Sequence, residues 1–304
     1  MDSKNFPLSE AEELDSLLDE LSGDQSVQEI AGWRSGFGGL DQLLSGILPG
    51  FSLLIGPPSC GKTTFVRQLC DQVAMLNAVS VVFCALGERK RDLRVRTLAR
   101  LSGLENREIR KGRSFVLHSY GVPKASAGET DLPPSWRKLE VGASEARSWL
   151  SRIYLFEGSD KAGLSEIREY LAGVMQRASA ARIFVVIDDA HRLEAREPDF
   201  HNRLLLIADQ LHGLCQETEL SILAVWPDFE AQSSNVWEWG EKVPGASVVM
   251  VMANDPERSK KLTEPNRAIN LHIVKNREGE RATLAFDFQP AFSRFTEVST
   301  NSTP

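Results

Sequence analysis

Four cysteines are all that the 304 residues contain, and Cys60, Cys70, Cys84 and Cys215 sit in apolar or helical contexts with no CxxC pair. That spacing argues against a disulfide framework and against a thiolate metal site, and it suits a reducing compartment. Long apolar runs are missing as well. No uncharged stretch approaches the roughly 20 residues that cross a bilayer, and the start, MDSKNFPLSEAEELD, has neither a basic nor an apolar signal region. A cytoplasmic protein without a membrane partner is expected. Positive charge is in deficit overall, with 35 Lys plus Arg against 42 Asp plus Glu and a formal net charge of −7. With 42% hydrophobic and 25% charged residues, the chain has the composition of one or two ordinary globular domains.

The acidity divides unevenly. Residues 1–31 hold nine acids and one base, which leaves 34 bases against 33 acids in the remainder. Within that near-neutral body, positions 89–113 carry ten bases against Asp92, Glu105 and Glu108, so the acidic total does not exclude a polyanionic ligand. In the acidic leader, Ser9 and Glu12 have capping-box spacing, and Leu14, Leu17, Leu18 and Leu21 recur on one helical face before Gly23. A helix this short is unstable alone. It reads either as a solvated tail or as a helix that docks on a neighbouring subunit or protein partner.

From residue 51 the chain alternates apolar strands with helices. FSLLI (51–55), VSVVFCAL (79–86), RIYLF (152–156), RIFVVI (182–187), SILAVW (221–226) and VVMVM (248–252) read as strands. Residues 63–74, 91–101, 164–178 and 201–217 read as helices, and AINLHIVKN with RATLAFDF reads as a closing hairpin. The Pro/Gly-rich stretch 113–135 reads as a surface loop. The expected fold is α/β: a mostly parallel central sheet flanked by helices, with antiparallel C-terminal strands. The expected division is a leader at 1–31, one domain over 32–298 and a tail at 299–304.

Between the first strand and its helix lies GPPSCGKTT, in which Gly56, Pro57, Pro58, Ser59, Cys60, Gly61, Lys62, Thr63 and Thr64 fit G-x-x-x-x-G-K-[ST] in the strand–turn–helix context the motif requires. The glycines let successive N–H groups face phosphates, and the helix presents its positive end. ATP is the expected ligand, with Lys62 on the β- and γ-phosphates and Thr63 on Mg2+. RIFVVIDDAH supplies a partner acid at a strand's C-terminal end, and Asp188 is the choice for the Mg2+ role. Asp189 either orients water or caps the next segment, and His191 reads as a satisfied polar residue. Glu88, in ALGER at the end of the second strand, is the expected water-polarising carboxylate; its plainer reading is an ion pair with an adjacent base.

These pieces, in order, resemble the ATPase domain of DnaB-type replicative helicases, within the RecA-like group. The resemblance begins at GWRSGFGGLDQLLSGILPGFSLLIGPPSCGKTTF and resumes at VVFCALGERKRDLRVRTLARLSGLENREIRKG, LPPSWRKL and RIYLFEGSDKAGLSEIREYL. It continues through RIFVVIDDAHRL to HIVKNREGERATLAFDFQPAFSRF, spanning about residues 32–298. It implies a hexameric ring of identical subunits, ATP between subunits, single-stranded DNA in the channel and 5′ to 3′ helicase action in DNA replication. It also gives KNREG a meaning: Arg277 as an arginine finger on the neighbour's γ-phosphate, with Lys275 as its partner. The alternative is a RecA- or KaiC-like ATPase switch, or a helicase loader, without unwinding activity. A small-molecule kinase is weaker still, for no lid pattern is visible.

Three departures qualify the resemblance. Where the family carries a helical collar that meets primase, only the acidic leader stands, so primase coupling is not expected. The family reads S-L-E-M at the second-strand end; strict register puts its glutamate at Gly87 and leaves Glu88 one position late, although GER resembles the β subunits of rotary ATP synthases. After SILAVW the family has a Gln and a long basic DNA-binding loop. This chain has Trp226, Pro227 and DFEAQSSNVWEWGEK, with Lys242 its only base. There Trp237 and Trp239 alternate as in a strand and read as packing residues before base-stacking ones.

Overall fold

The structure, a computed structural model, describes residues 30–119, 134–158, 162–180, 182–218, 220–228, 236–243 and 245–298. The expected leader helix and the C-terminal tail lie outside the described residues. Among those described, strands β1 (Gly50–Gly56), β2 (Val81–Ala85), β3 (Ile153–Glu157), β4 (Phe184–Asp188), β5 (Ser221–Pro227), β6 (Val248–Asn254), β7 (Arg267–Asn276), β8 (Ala282–Gln289) and β9 (Arg294–Val298) form a single sheet. Their order is β3-β2-β4-β5-β1-β6-β7-β8-β9. The first six run parallel, and β7, β8 and β9 add on antiparallel.

The parallel strands are apolar on both faces, because helices cover both. On β1, Phe51, Leu53 and Ile55 point to one side and Leu54 to the other. The first side packs under helices Leu164–Ala178 and Phe200–Thr218, through Ile167, Leu171, Ile207 and Leu211. The second receives helix α1 (Gly38–Leu44) and helix α2 (Lys62–Asn77), which buries Phe65, Val66, Leu69, Val73 and Ala74. Residues 113–135 are not all loop: Arg113–Ser119 is helical and a further helix begins at Pro134, with Val116 of the former buried. The Trp237–Trp239 segment is likewise helical rather than extended, and Trp239 is buried in the core while Trp237 stands exposed. Strand β9 and the short helices were not expected; β9 lacks the length and alternation that mark a half-buried strand.

That overlooked strand fixes the position of α2. The Gln68 side-chain amide donates to the Phe295 carbonyl (2.9 Å) and accepts from the Phe295 N–H (2.8 Å), as a neighbouring strand would. Rings of Phe65, Phe286 and Phe295 meet edge to face around the contact. On its other flank α2 is joined to helix α3 (Lys90–Ser102) by a buried charge cluster. Asp71 binds Arg67 (2.9 Å), Arg100 and the Thr97 hydroxyl (2.7 Å), and Arg67 also donates to Thr97 (3.1 Å). Arg100 continues to the Ser293 carbonyl (3.0 Å), ahead of β9. Breaking a buried ion pair strands its partner charges in low dielectric. Asp71→Ala, which leaves Arg67 and Arg100 facing each other, is therefore expected to lower unfolding free energy by about 3–5 kcal/mol in urea titration; a loss under about 1 kcal/mol would show that the cluster is not a structural joint.

Candidate nucleotide site

Four parallel strands end at one edge of the sheet: register sets Gly56 opposite Pro227 and Ala85 opposite Asp188, with Ile187 opposite Ala224 so that β2 and β4 stop short of β1 and β5. The loop between β1 and α2 rises from that edge. It turns through Ser59 at φ 63° and Gly61 at φ 102°, both left-handed, so the chain closes tightly enough for α2 to start at Lys62. Gly61 is pressed against stacked rings: a Cβ there would lie 2.8 Å from Phe288 and 2.9 Å from Phe295, whose centroids are 4.3 Å apart. Arg267 lies across the outer side, donating to the Ser59 carbonyl (2.9 Å) with its guanidinium 5.2 Å from the Phe288 ring centre, within cation–π range. Lys62 is buried and folded back on its own loop, donating to the carbonyls of Gly56 (2.7 Å) and Pro57 (2.8 Å). An entering phosphate must draw the ammonium from those two acceptors.

A cleft of about 550 Å³ opens above the loop, walled by Lys62, Thr63, Thr64, Glu88, Asp189 and His191 among others. The strand ends thus bring together the loop residues, Asp188 and Glu88. Asp188 is buried, its Oδ1 has no hydrogen-bond partner, and Thr63 bonds its carboxylate. A hydroxyl and an orphaned carboxylate oxygen side by side are the oxygen donors a hard divalent cation takes, so these residues fit Mg2+. Glu88 is ion-paired with Arg96 of α3, which also donates to the Thr64 hydroxyl (2.6 Å). Residue Arg96 was hidden in the basic run 89–113. Its inward turn and that of Arg100 follow from the buried Leu93, Val95, Thr97 and Ala99 beside them, while Arg89, Arg91 and Arg94 stay exposed. Arg267 and Phe288, also within the cleft wall, carry no motif that marks them in sequence.

The two expected finger residues are elsewhere. Arg277 is exposed on the turn after β7, and its N–H donates to the Ser247 carbonyl (3.0 Å), just before β6 begins. That is the opposite end of the parallel strands from Lys62, roughly 15 Å away at ~3.3 Å per strand residue. Lys275 donates to the Val243 carbonyl (3.0 Å), and burial, with Arg277 adding repulsion, holds its ammonium below the ordinary lysine range. The pairing of β6 with β7 shifts register here, with Val249 opposite Lys275 and Met250 opposite Ile273; the extra residue, Val274, turns the strand end.

Sheet order, loop and acid together define a RecA-like P-loop domain. The chain belongs to the family described as "DnaB-like helicase C terminal domain", whose profile matches residues 32–297. Its curated relatives include the replicative DNA helicases DnaB of Pasteurella multocida, 24% identical over 93% of this chain, and of Haemophilus influenzae, 24% identical over 93%. The chain spans only 59% and 58% of the length of those two proteins. Among solved structures, a DnaB-like replicative helicase, described with its interactions with primase, superposes with a TM-score of 0.75 at 20% identity, over 96% of this chain and 69% of that one. A KaiC-like protein of Pyrococcus horikoshii superposes with a TM-score of 0.53 at 19% identity, over 87% of this chain and 97% of that one. Among the described residues no helix is long and apolar enough to cross a membrane.

Burial, helped by the neighbouring Asp189 and opposed by the Thr63 hydrogen bond, pushes the Asp188 carboxyl up to about 7. An unfolded Asp titrates near ~3.9. Between these values the folded, metal-free protein keeps a proton that the unfolded chain has released, so this site's contribution to stability is full below pH ~4 and is lost as pH rises towards 7. Urea unfolding without metal should therefore show a midpoint that falls from pH 5 to pH 7.5. In Asp188→Asn that component of the slope disappears, and an unchanged slope would contradict the assignment.

Proposed function

We propose that this chain hydrolyses ATP and uses the cycle to move along single-stranded DNA as a DnaB-like helicase domain, in a cytoplasmic ring of identical subunits that is hexameric and travels 5′ to 3′. The observation that carries this reading is the pairing of Thr63 with the orphaned Asp188 carboxylate beside Lys62, on a chain whose family is that of DnaB-like helicases. Gly56, Pro57, Pro58, Ser59, Cys60, Gly61, Lys62, Thr63 and Thr64 cradle the triphosphate. Lys62 leaves its loop carbonyls for the β- and γ-phosphates. Thr63 and Asp188 would hold Mg2+, which supplies charge neutralisation on the phosphate oxygens. A carboxylate on the rim, Glu88 or Asp189, aligns the attacking water.

Arg277, with Lys275 behind it, supports an inter-subunit site. From the far sheet end, the exposed guanidinium can meet a triphosphate only of a neighbouring copy. A fixed cation there stabilises charge spreading over the transferred phosphoryl group. The second reading, an ATP-driven switch or loader of the KaiC-like kind, draws on one observation: residues 228–242 carry four acids and only Lys242 as a base, and Lys242 packs its ammonium 4.9 Å from the Trp239 ring centre. Backbone affinity for DNA comes chiefly from Lys and Arg.

Arg277→Ala is expected to bind a fluorescent ATP analogue as the parent does while turnover in the assembled oligomer falls by about 10³-fold or more. Equal turnover would remove Arg277 from the site. ATPase assayed with and without single-stranded DNA across a salt series separates the two readings: stimulation that declines steeply with salt marks a translocase, and a rate indifferent to DNA marks the switch.

A further inference from the structure

We propose that Asp189, not Glu88, is the carboxylate that activates the attacking water, occupying the space that the family's glutamate would fill from the end of β2. This inference rests on the reading of the site as an ATPase.

At position 87, where strict register places that glutamate, the chain has glycine. A Cβ built on Gly87 collides with Oδ2 of Asp189 and lies 3.2 Å from its Cγ. Gly87 is not among the residues with positive φ, so its backbone admits a side chain; the obstacle is the Asp189 carboxylate. One residue past the buried Asp188, Asp189 adopts φ 61° and ψ 42°. Left-handed backbone is uncommon for a residue other than glycine, asparagine or aspartate, and such conformations collect at functional sites. Here its consequence is visible: the chain turns sharply after β4, and the second carboxylate stands above the end of β2, on the wall of the cleft that holds Lys62 and Thr63.

The competing carboxylate is charge-paired through one oxygen. Oε1 of Glu88 forms a direct charge-assisted contact with Arg96, which is itself anchored to Thr64 of α2, and Oε2 of Glu88 is buried without a hydrogen-bond partner. Asp189 has a looser ion pair, 3.6 Å to Nε of Arg192 with both side chains part-exposed, which a water can displace. Glu88 and Arg96 then join β2 and α3 to the P-loop helix, while Asp189 faces the reacting atoms. In the step itself the water oxygen bonds the γ-phosphorus and the bond from that phosphorus to the ADP oxygen breaks. The water proton passes to the Asp189 carboxylate and from there to solvent as phosphate leaves.

Four variants of the full chain test this, each checked first for binding of a fluorescent ATP analogue, with the parent's ATPase as reference. Asn keeps the hydrogen-bonding shape of Asp and tolerates left-handed backbone, so Asp189→Asn should bind the analogue normally while kcat falls about 10²–10³-fold. Glu88→Gln should lose about tenfold at most. Asp189→Ala frees the space over position 87, so Gly87→Glu added to it should recover at least about tenfold over Asp189→Ala alone. Asp189→Asn within about threefold of the parent, or a larger loss in Glu88→Gln than in Asp189→Asn, overturns the assignment while leaving the ATPase reading standing. A parent chain that binds the analogue but hydrolyses no ATP, with or without single-stranded DNA, overturns that reading and this assignment together.

Discussion

The site depends on one tight approach, the packing of Gly61 against Phe288 and Phe295. No side chain fits between the loop and those rings, and no L-residue rests easily at φ 102°. Because the rings belong to β8 and β9, the phosphate loop is braced from the antiparallel end of the sheet as well as by its own strand. Arg267 of β7 closes the brace from outside through the Ser59 carbonyl. The three C-terminal strands therefore do more than extend the sheet: they set the shape of a loop more than 200 residues earlier in the chain.

A second constraint works through charge. Arg67, Asp71, Thr97 and Arg100 join α2 to α3 below the surface, and Arg96, paired with Glu88, joins the same helices at the rim of the cleft through the Thr64 hydroxyl. The second charge around one buried carboxylate is offset in part by carbonyl and hydroxyl oxygens that take further donors, as those of Ser293 and Thr97 do, while Nη1 of Arg67 is buried without a hydrogen-bond partner. The helix that begins with Lys62 is thus held on both flanks. Within such a frame the Lys62 ammonium is held by the loop carbonyls of Gly56 and Pro57, and any anion that takes it must displace both.

Much of this architecture was legible in sequence, for physical reasons that differ by element. Strands β1, β4 and β5 are buried on both faces, so their apolar runs are unbroken, and helix Leu164–Ala178 shows its stripe and ends where expected. Lys62, Thr63 and Asp188 were legible because a glycine-bounded loop and an acid at a strand end have local signatures. Helix Arg113–Ser119 was hidden by the glycines and prolines that follow it, and β9 by its shortness. Arg96 and Arg100 were hidden because a basic run looks solvated until the opposite face of the helix is known to be buried. The relation of Asp189 to Gly87 was out of reach altogether, since it joins two strand ends about 100 residues apart through a left-handed turn that sequence does not announce.

Sheet geometry also limits what one copy can do. Parallel strands place every C-terminal end at the same edge, which gathers Gly56, Asp188 and the end of β2 around one cleft. An antiparallel strand appended to such a sheet must end at the other edge, and β7 carries Arg277 there. No rotamer change spans the length of the strands between, because an arginine side chain reaches only about half the roughly 15 Å that separate the two ends at strand spacing. A cation on that turn therefore cannot reach the cleft of its own chain, and any contact it makes with such a cleft must be with that of another copy.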